Sequence, residues 1–353
     1  MKKISTLKIL LMITILVTGC IFSADAQIEI RSNHPQSLPL VDGSTVAIDP
    51  SKGYLIKEIK DKVYYATDGI YQVMFILTST GVVAVDAPPS LGGNLLKSLK
   101  EITDMNVTHV IYTHPHPDHI GGAALYPGNP VIITSEGTAK DLRRHNLSEG
   151  MIPFGAYVGG KPVPLPTKTF SKKMELNIGG RKIVLLTSGS AAHSGEDVIV
   201  FLPKEKIVMM VDIVFPGWIP FEQLAYCQDL DGYIDIQRFV LKLDFDVLVP
   251  GHYSKLGTRE EIDQNMEYVD DLYSGLSDAI QKTDFASVVA KTGMANIHLM
   301  MEDYFDVIAR KTSSKVEEKW KGKLSGVDVW SYSNARKLIP YVRESAADVP
   351  KRQ

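Results

Sequence analysis

The stretch "THPHPDHIGG", residues 113–122, places three of the chain's nine histidines and an aspartate within six positions. A histidine kept for structure needs one hydrogen-bond partner, so this crowding points to a more demanding task. The preceding residues, "VTHVIY" (107–112), form a short apolar run of the buried-strand type. His114, His116, Asp118 and His119 therefore sit just past the C-terminal end of a strand, the edge where layered α/β folds place their ligands. On an irregular loop these four side chains can converge from two directions. Imidazoles with a carboxylate suit zinc, and also iron or manganese.

One zinc centre takes three or four ligands, so these four residues cannot complete two centres. A binuclear site needs further His or Asp at other strand ends, and the sequence supplies them. His193 lies in "GSAAHSGED", a small-residue loop directly before a strand. Asp212 ends the apolar run "VMMVDIVF", where an unpaired charge would be costly. His252 follows a strand in "VPGHY". Any one of them reads equally well as a hydrogen-bonded residue at a strand end. The seven together need a common explanation.

The surrounding pattern is that of a globular enzyme-sized chain. It has 353 residues, 44% apolar and 22% charged, with a net charge of −3. That length allows one large domain, or one domain with an appendage. The near-neutral balance argues against a dedicated nucleic-acid binder, which would carry a basic stripe. Residues 1–26 differ from the rest: Lys2, Lys3 and Lys8 precede the apolar run "ILLMITILVTG", as in a secretory signal. Two cleavage readings stand side by side. "VTGC" resembles a bacterial lipobox that would leave Cys20 lipidated, and "ADA" (24–26) fits cleavage before Gln27. The protein is accordingly expected outside the cytoplasm, periplasmic or lipid-anchored, with a lipid on Cys20 as its one route to a membrane. Cys227 is the second of only two cysteines and reads as a small core residue.

Residues 27–52 read as a polar lead-in. Strand-like runs follow from residue 53, with alternation through "YLIKEIKDKVYYATD" and short runs in "YQVMFILTST" and "GVVAVDAPP". Leu95, Leu96, Leu99 and Ile102 keep helical spacing, and "PVIITSEGTAKDLRRH" repeats the order of strand then helix. The Gly- and Pro-rich residues 146–175 form a long loop, a lid over substrate or a disordered insertion. The "IGG" of "KMELNIGGRKIVLL" is a hairpin turn. From Thr258, whose side chain pairs with Glu261 in a capping box, the pattern becomes helical to about residue 345. The expected division is a signal at 1–26, a lead-in at 27–52, a catalytic domain at 53–257 and a C-terminal helical extension at 258–353.

"THPHPDHIGG" with "AHSGED", "VDIVF" and "VPGH", in that order, resembles the metallo-β-lactamase superfamily over roughly residues 54–255. The resemblance implies an α+β fold built as a four-layer αββα sandwich, two mixed sheets face to face with helices outside, here with the C-terminal helices added. It also implies two metal ions at one sheet edge, zinc in a hydrolase. His114, His116 and His193 would hold the first, Asp118, His119 and His252 the second, and Asp212 would bridge them. Two cations sharing a water lower its pKa to near neutrality, which supplies a nucleophile without a serine or cysteine. Asp118 would orient that nucleophile and take part in proton transfer, making it the candidate catalytic residue. Asp86, in "VVAVDAPP", would steady the histidine loop without ligating; a plain turn residue is the alternative.

Two positions narrow the branch. His116 stands where redox di-iron members of this fold carry Glu, which favours hydrolysis. Asp212 stands where one large group of true β-lactamases carries cysteine, and a bridging aspartate resembles glyoxalase II and lactonases. The expected reaction is attack on an ester, lactone, thioester or lactam carbonyl of a small molecule. A periplasmic β-lactamase is the alternative that export favours, and a non-catalytic metal-dependent binding module is the alternative of another class. Phe154 and Tyr157, then Trp218 and Phe221 with Tyr226 close by, could line an apolar cleft, although core packing suits Trp218, Phe221 and Tyr226 taken singly. Tyr253, beside His252, is a candidate donor to an oxyanion.

Overall fold

The computed structural model describes residues 37–145 and 162–344. The expected signal, residues 27–36 of the lead-in, and Phe154 and Tyr157 lie outside the described residues.

The chain first builds a seven-stranded sheet in simple sequential order: β1 (Leu55–Lys60), β2 (Val63–Thr67), β3 (Gln72–Leu77), β4 (Val82–Val85), β5 (Val107–Ile111), β6 (Val131–Ser135) and β7 (Lys168–Phe170). The first four pair antiparallel and the last four parallel, so the sheet is mixed. Parallel neighbours need crossovers, supplied by α1 (Asn94–Ile102) between β4 and β5 and by α2 (Pro117–Ile120) between β5 and β6. Helix α3 (Glu136–Arg144) follows β6, its first turn capped by the Ser135 side chain, which accepts from Thr138 N. The second sheet has order β12-β11-β10-β9-β8, from β8 (Lys173–Ile178), β9 (Arg181–Thr187), β10 (Val198–Leu202), β11 (Ile207–Met209) and β12 (Val247–Val249). Of its pairs, β11 with β12 is parallel, and α4 (Leu230–Val240) crosses between them.

Two local readings of the sequence change. The alternating stretch 54–68 is a hairpin, because Asp61 and Lys62 both take positive φ (48° and 62°) and turn the chain without glycine. The long Gly- and Pro-rich loop is interrupted by β7, which pairs parallel with β6 at Ile133, Thr134 and Ser135.

Burial sorts the apolar residues into layers. Met74, Ile76, Val83, Val85 and Ile111 of the first sheet meet Ile183, Leu185, Val198, Val200 and Met209 of the second, forming the inter-sheet core. The outer face of the first sheet (Phe75, Ala84, Val110) packs on Leu95 and Leu99 of α1 and Leu142 of α3. The outer face of the second (Val184, Leu186, Ile199, Val208, Leu248) packs on Tyr233, Ile236 and Val240 of α4. This is the αββα sandwich.

Four further helices extend the outer layer of the second sheet: α5 (Arg259–Lys282), α6 (Phe285–Thr292), α7 (Ile297–Trp320) and α8 (Val327–Glu344). The Thr258–Glu261 capping box starts α5, and Ile262, Val269, Leu272 and Leu276 of that helix join the same core cluster as α4. The described part of the lead-in is tied to these helices. Leu38 N donates to Asp328 at 2.7 Å and Val41 N to Ser325 Oγ at 2.9 Å. No helix among the described residues is long and apolar enough to cross a membrane.

Candidate metal centre

Strand direction sets the site. The C-terminal ends of β4, β5, β9, β11 and β12 all come out on one edge of the sandwich, and the chemistry-bearing residues lie in the segments that follow them. Five histidines and two aspartates gather there in two groups: His114, His116, His193 and Asp212, and Asp118, His119 and His252. Within each group one ligand atom per residue lies within 4.8 Å of the others. Asp212 touches both. Its Oδ2 lies 3.4 Å from His114 Nε2, 3.1 Å from His193 Nε2 and 3.2 Å from His119 Nε2, while Oδ1 lies 2.8 Å from His252 Nε2.

The outward nitrogens of three rings are held by the protein, which decides what the inward ones can do. His193 Nδ1 faces Ala225 O at 2.5 Å, and His252 Nδ1 faces Ile70 O at 3.1 Å. A carbonyl only accepts, so each ring donates to it from Nδ1 and faces inward with Nε2. His114 Nδ1 faces Thr113 Oγ1 at 3.0 Å, and that hydroxyl in turn donates to Asp86 Oδ2 at 2.7 Å. Asp86 also accepts from Thr113 N at 2.9 Å, so this buried carboxylate lies beneath the histidine loop and orders it. The His193 loop has a similar cradle: Asp197 accepts from His193 N at 3.0 Å and from Ser194 Oγ at 2.6 Å.

These residues fit cations, and the donor set itself says so. His193 Nε2 and His116 Nδ1 approach to 2.8 Å, and the Nε2 atoms of His119 and His252 to 3.1 Å. Buried His114 Nε2 and Asp212 Oδ1 lack a hydrogen-bond partner among the described residues, although Oδ1 is close to His252; the contact lacks hydrogen-bond geometry. Buried polar atoms left unsatisfied and turned on one another are costly unless something positive shares them. The electrostatics of the ligands divide. Against burial, Asp212 and Asp118 hold His119 up at about 9 and Asp212 raises His193, protons that a cation would displace, while three groups already take the ligating form. Burial, with the neighbouring imidazoles, pushes His114 well below its ordinary pKa and His116 down to about 4. Burial works against the Asp212 carboxylate, yet His119, His252 and His193 hold it well below the usual range. Neutral imidazole and ionised carboxylate are the forms that ligate.

Asp118 is the more open member, its side chain a quarter exposed. It accepts from the Tyr71 hydroxyl at 3.2 Å. Tyr71 itself packs against His119 and His252, with ring centroids 5.2 and 4.6 Å away. Tyr71 is absent from the sequence-based candidates. The available signal is "TDGIYQ", an Asp-Gly turn followed by an aromatic: Asp68 Oδ1 accepts from Ile70 N and Tyr71 N, both at 2.9 Å, and aims the ring.

The aromatic candidates separate. Phe221 lies 5.8 Å from the His252 ring and 5.4 Å from both Phe215 and Tyr226. Tyr226 is 53% exposed, so core packing does not describe it; it stands beside the site. Trp218 and Tyr253 stack on each other at 4.5 Å, and the Trp218 indole donates to Ser44 O at 3.0 Å. Cys227 is buried in the core, its thiol pushed up by burial to about 12.

An unusual backbone brings Tyr226 there. Gln223, Leu224, Ala225 and Tyr226 all have φ of 54–55°, one turn of left-handed helix without a glycine. Such a conformation costs an L-residue about 1–2 kcal/mol per position, so the run needs outside support.

The metallo-beta-lactamase superfamily model matches residues 66–252, just over half of the chain, and every ligand candidate falls inside that span. Among curated proteins, 2,4-dinitroanisole O-demethylase subunit alpha of Nocardioides sp. is 31% identical over 207 residues, covering 57% of this chain and 58% of that one. Linear primary-alkylsulfatase of Pseudomonas sp. is 21% identical over 241 residues, covering 56% and 44%. The chain thus spans less than two thirds of the length of either relative. A solved metallo-beta-lactamase from Pontibacter korlensis is 22% identical over 61% of this chain and 97% of its own, with a TM-score of 0.49. With the superfamily's model laid across the sandwich and its histidine–aspartate cluster gathered at one edge, the chain belongs to the metallo-beta-lactamase superfamily.

Proposed function

We propose that this chain is a metal-dependent hydrolase that is exported, holds two zinc ions, and attacks an ester, lactone, thioester or lactam carbonyl of a small molecule. The observation that carries the reading is Asp212, one carboxylate within 3.4 Å of inward nitrogens from both histidine groups. His114, His116 and His193 would hold one ion and Asp118, His119 and His252 the other. Bound there, the ions would supply a nucleophile at neutral pH and polarise the bond under attack. Asp118, tethered by Tyr71 and open to solvent on one side, orients the attacking group and takes up its proton. Phe221 and Tyr226 offer an apolar wall, which favours a substrate with an alkyl or aryl part.

The named relatives favour a second substrate class for the same machinery, an aryl methyl ether or an alkyl sulfate. One panel separates the readings: zinc-loaded mature protein assayed on a lactone, a thioester, a β-lactam, a phosphodiester, an alkyl sulfate and a nitroaryl methyl ether. Turnover is expected on the lactone or thioester, with about two zinc ions per chain and loss of activity in chelator. Metal analysis that finds no ion, with turnover unchanged by chelator, sinks the mechanism; turnover confined to the sulfate or the ether moves the substrate to the second class. Export rests on residues 1–26, and the mass of the mature N-terminus, at Cys20 with lipid or at Gln27, tests it.

A further inference from the structure

The left-handed turn at 223–226 is held from the C-terminal helices. Asn334 of α8, fully buried, accepts from Leu224 N at 2.7 Å through Oδ1. Its Nδ2 donates to Pro220 O at 2.8 Å and to the Tyr268 hydroxyl of α5 at 3.1 Å. Ser333 Oγ accepts from Gln223 N at 2.9 Å. The turn so clasped presents Ala225 O to His193 Nδ1. The next segment closes back on the same loop, where Gln228 N donates to Ala192 O at 2.7 Å. Strained backbone of this kind persists only where its surroundings over-determine it.

We propose that Asn334 is a positioning residue of the metal centre: it holds the left-handed turn whose Ala225 carbonyl keeps the His193 proton on Nδ1 and its Nε2 facing inward. The proposal rests on the reading of His193 as a ligand. The C-terminal helices then reach the site through a hydrogen-bonded path from Tyr268 and Asn334 through the turn to His193. Partners that orient a metal-ligating histidine typically carry a 10–100-fold share of metal affinity, which sets the expected effect.

The test uses the full chain and reads metal directly. Zinc titration against a chelating dye should show two steps in the parent protein. In Asn334→Leu, the step that His193→Asn also removes should weaken by roughly 10–100-fold. The imidazole N–H resonance of His193, seen by nitrogen-15 NMR and assigned by its loss in His193→Asn, should also shift. Tyr268→Phe removes a different partner of Asn334 and serves as the structural control; it should lower thermal stability while leaving both steps in place. Gln223→Gly, added to Asn334→Leu, should recover part of the lost affinity, because glycine adopts the left-handed turn without strain. Should Asn334→Leu not fold, Ser333→Ala takes its place, with an expected weakening of about 2–10-fold, the worth of one hydrogen bond. Unchanged titration in the folded Asn334→Leu protein, or in Ser333→Ala where that variant stands in, overturns the proposal. A parent protein that binds no zinc overturns the ligand reading instead.

Discussion

The two ends of the sandwich are built on opposite terms. At the far end, Arg181 at the start of β9 donates to the Glu205 carboxylate, to Asp61 O and, at 3.1 Å, to Leu77 O. Glu205 is only 2% exposed, yet its charge is met, and the clasp joins turns of both sheets. At the metal end, buried nitrogens and a buried carboxylate face one another, and Asp86, Asp212 and Tyr253 all sit at positive φ (65°, 62° and 59°). The difference teaches where stability and function are separated. One end closes its polar groups on each other; the other keeps them facing inward, so that a cation can close them.

The comparison can be broken by substitution at each end. The largest effect is expected at the shared carboxylate. Asp212→Ala should reduce zinc to one ion or fewer per chain after dialysis, with a loss of affinity beyond the roughly 10–100-fold that a ligand's hydrogen-bond partner carries. Two retained ions would show that the carboxylate does not join the groups. Next, Arg181→Met leaves Glu205 buried without its cation and should cost about 3–5 kcal/mol in urea unfolding, with zinc content unchanged. Loss of zinc in that variant would mean that the two ends are not independent. The smallest effect is expected for Tyr71→Phe, which removes one hydrogen bond to Asp118. Turnover should fall by about 2–10-fold at unaltered metal content, in line with one hydrogen bond of about 1 kcal/mol. A drop of several hundredfold would move Tyr71 from orienting Asp118 to contacting the reacting atoms.

The ligand candidates are legible in the sequence because metal chemistry restricts both their type and their place: His and Asp, each beside the end of an apolar strand. The layers are legible for a related reason, since the alternating and continuous apolar runs mark which faces are covered. What escapes is set by distant partners. Tyr71 matters through Asp118, 47 positions away, and Asn334 through Leu224, 110 positions away. Tyr226 reads as an ordinary core aromatic until the left-handed turn beneath it is known. The hairpin at Asp61–Lys62 is hidden because its turn puts a lysine, which seldom takes positive φ, where glycine is the usual signal.

The family match stops at residue 252, before the last four helices begin. The hydrophobic core does not stop there: Tyr268, Leu272, Ile308, Leu338 and Ile339 share a cluster with Val208 and Leu248 of the second sheet. A boundary drawn by sequence kinship therefore cuts through a physical unit. Anyone trimming this protein to its recognisable part, or grafting that part onto another chain, would uncover an apolar face that the remaining residues have no means to cover.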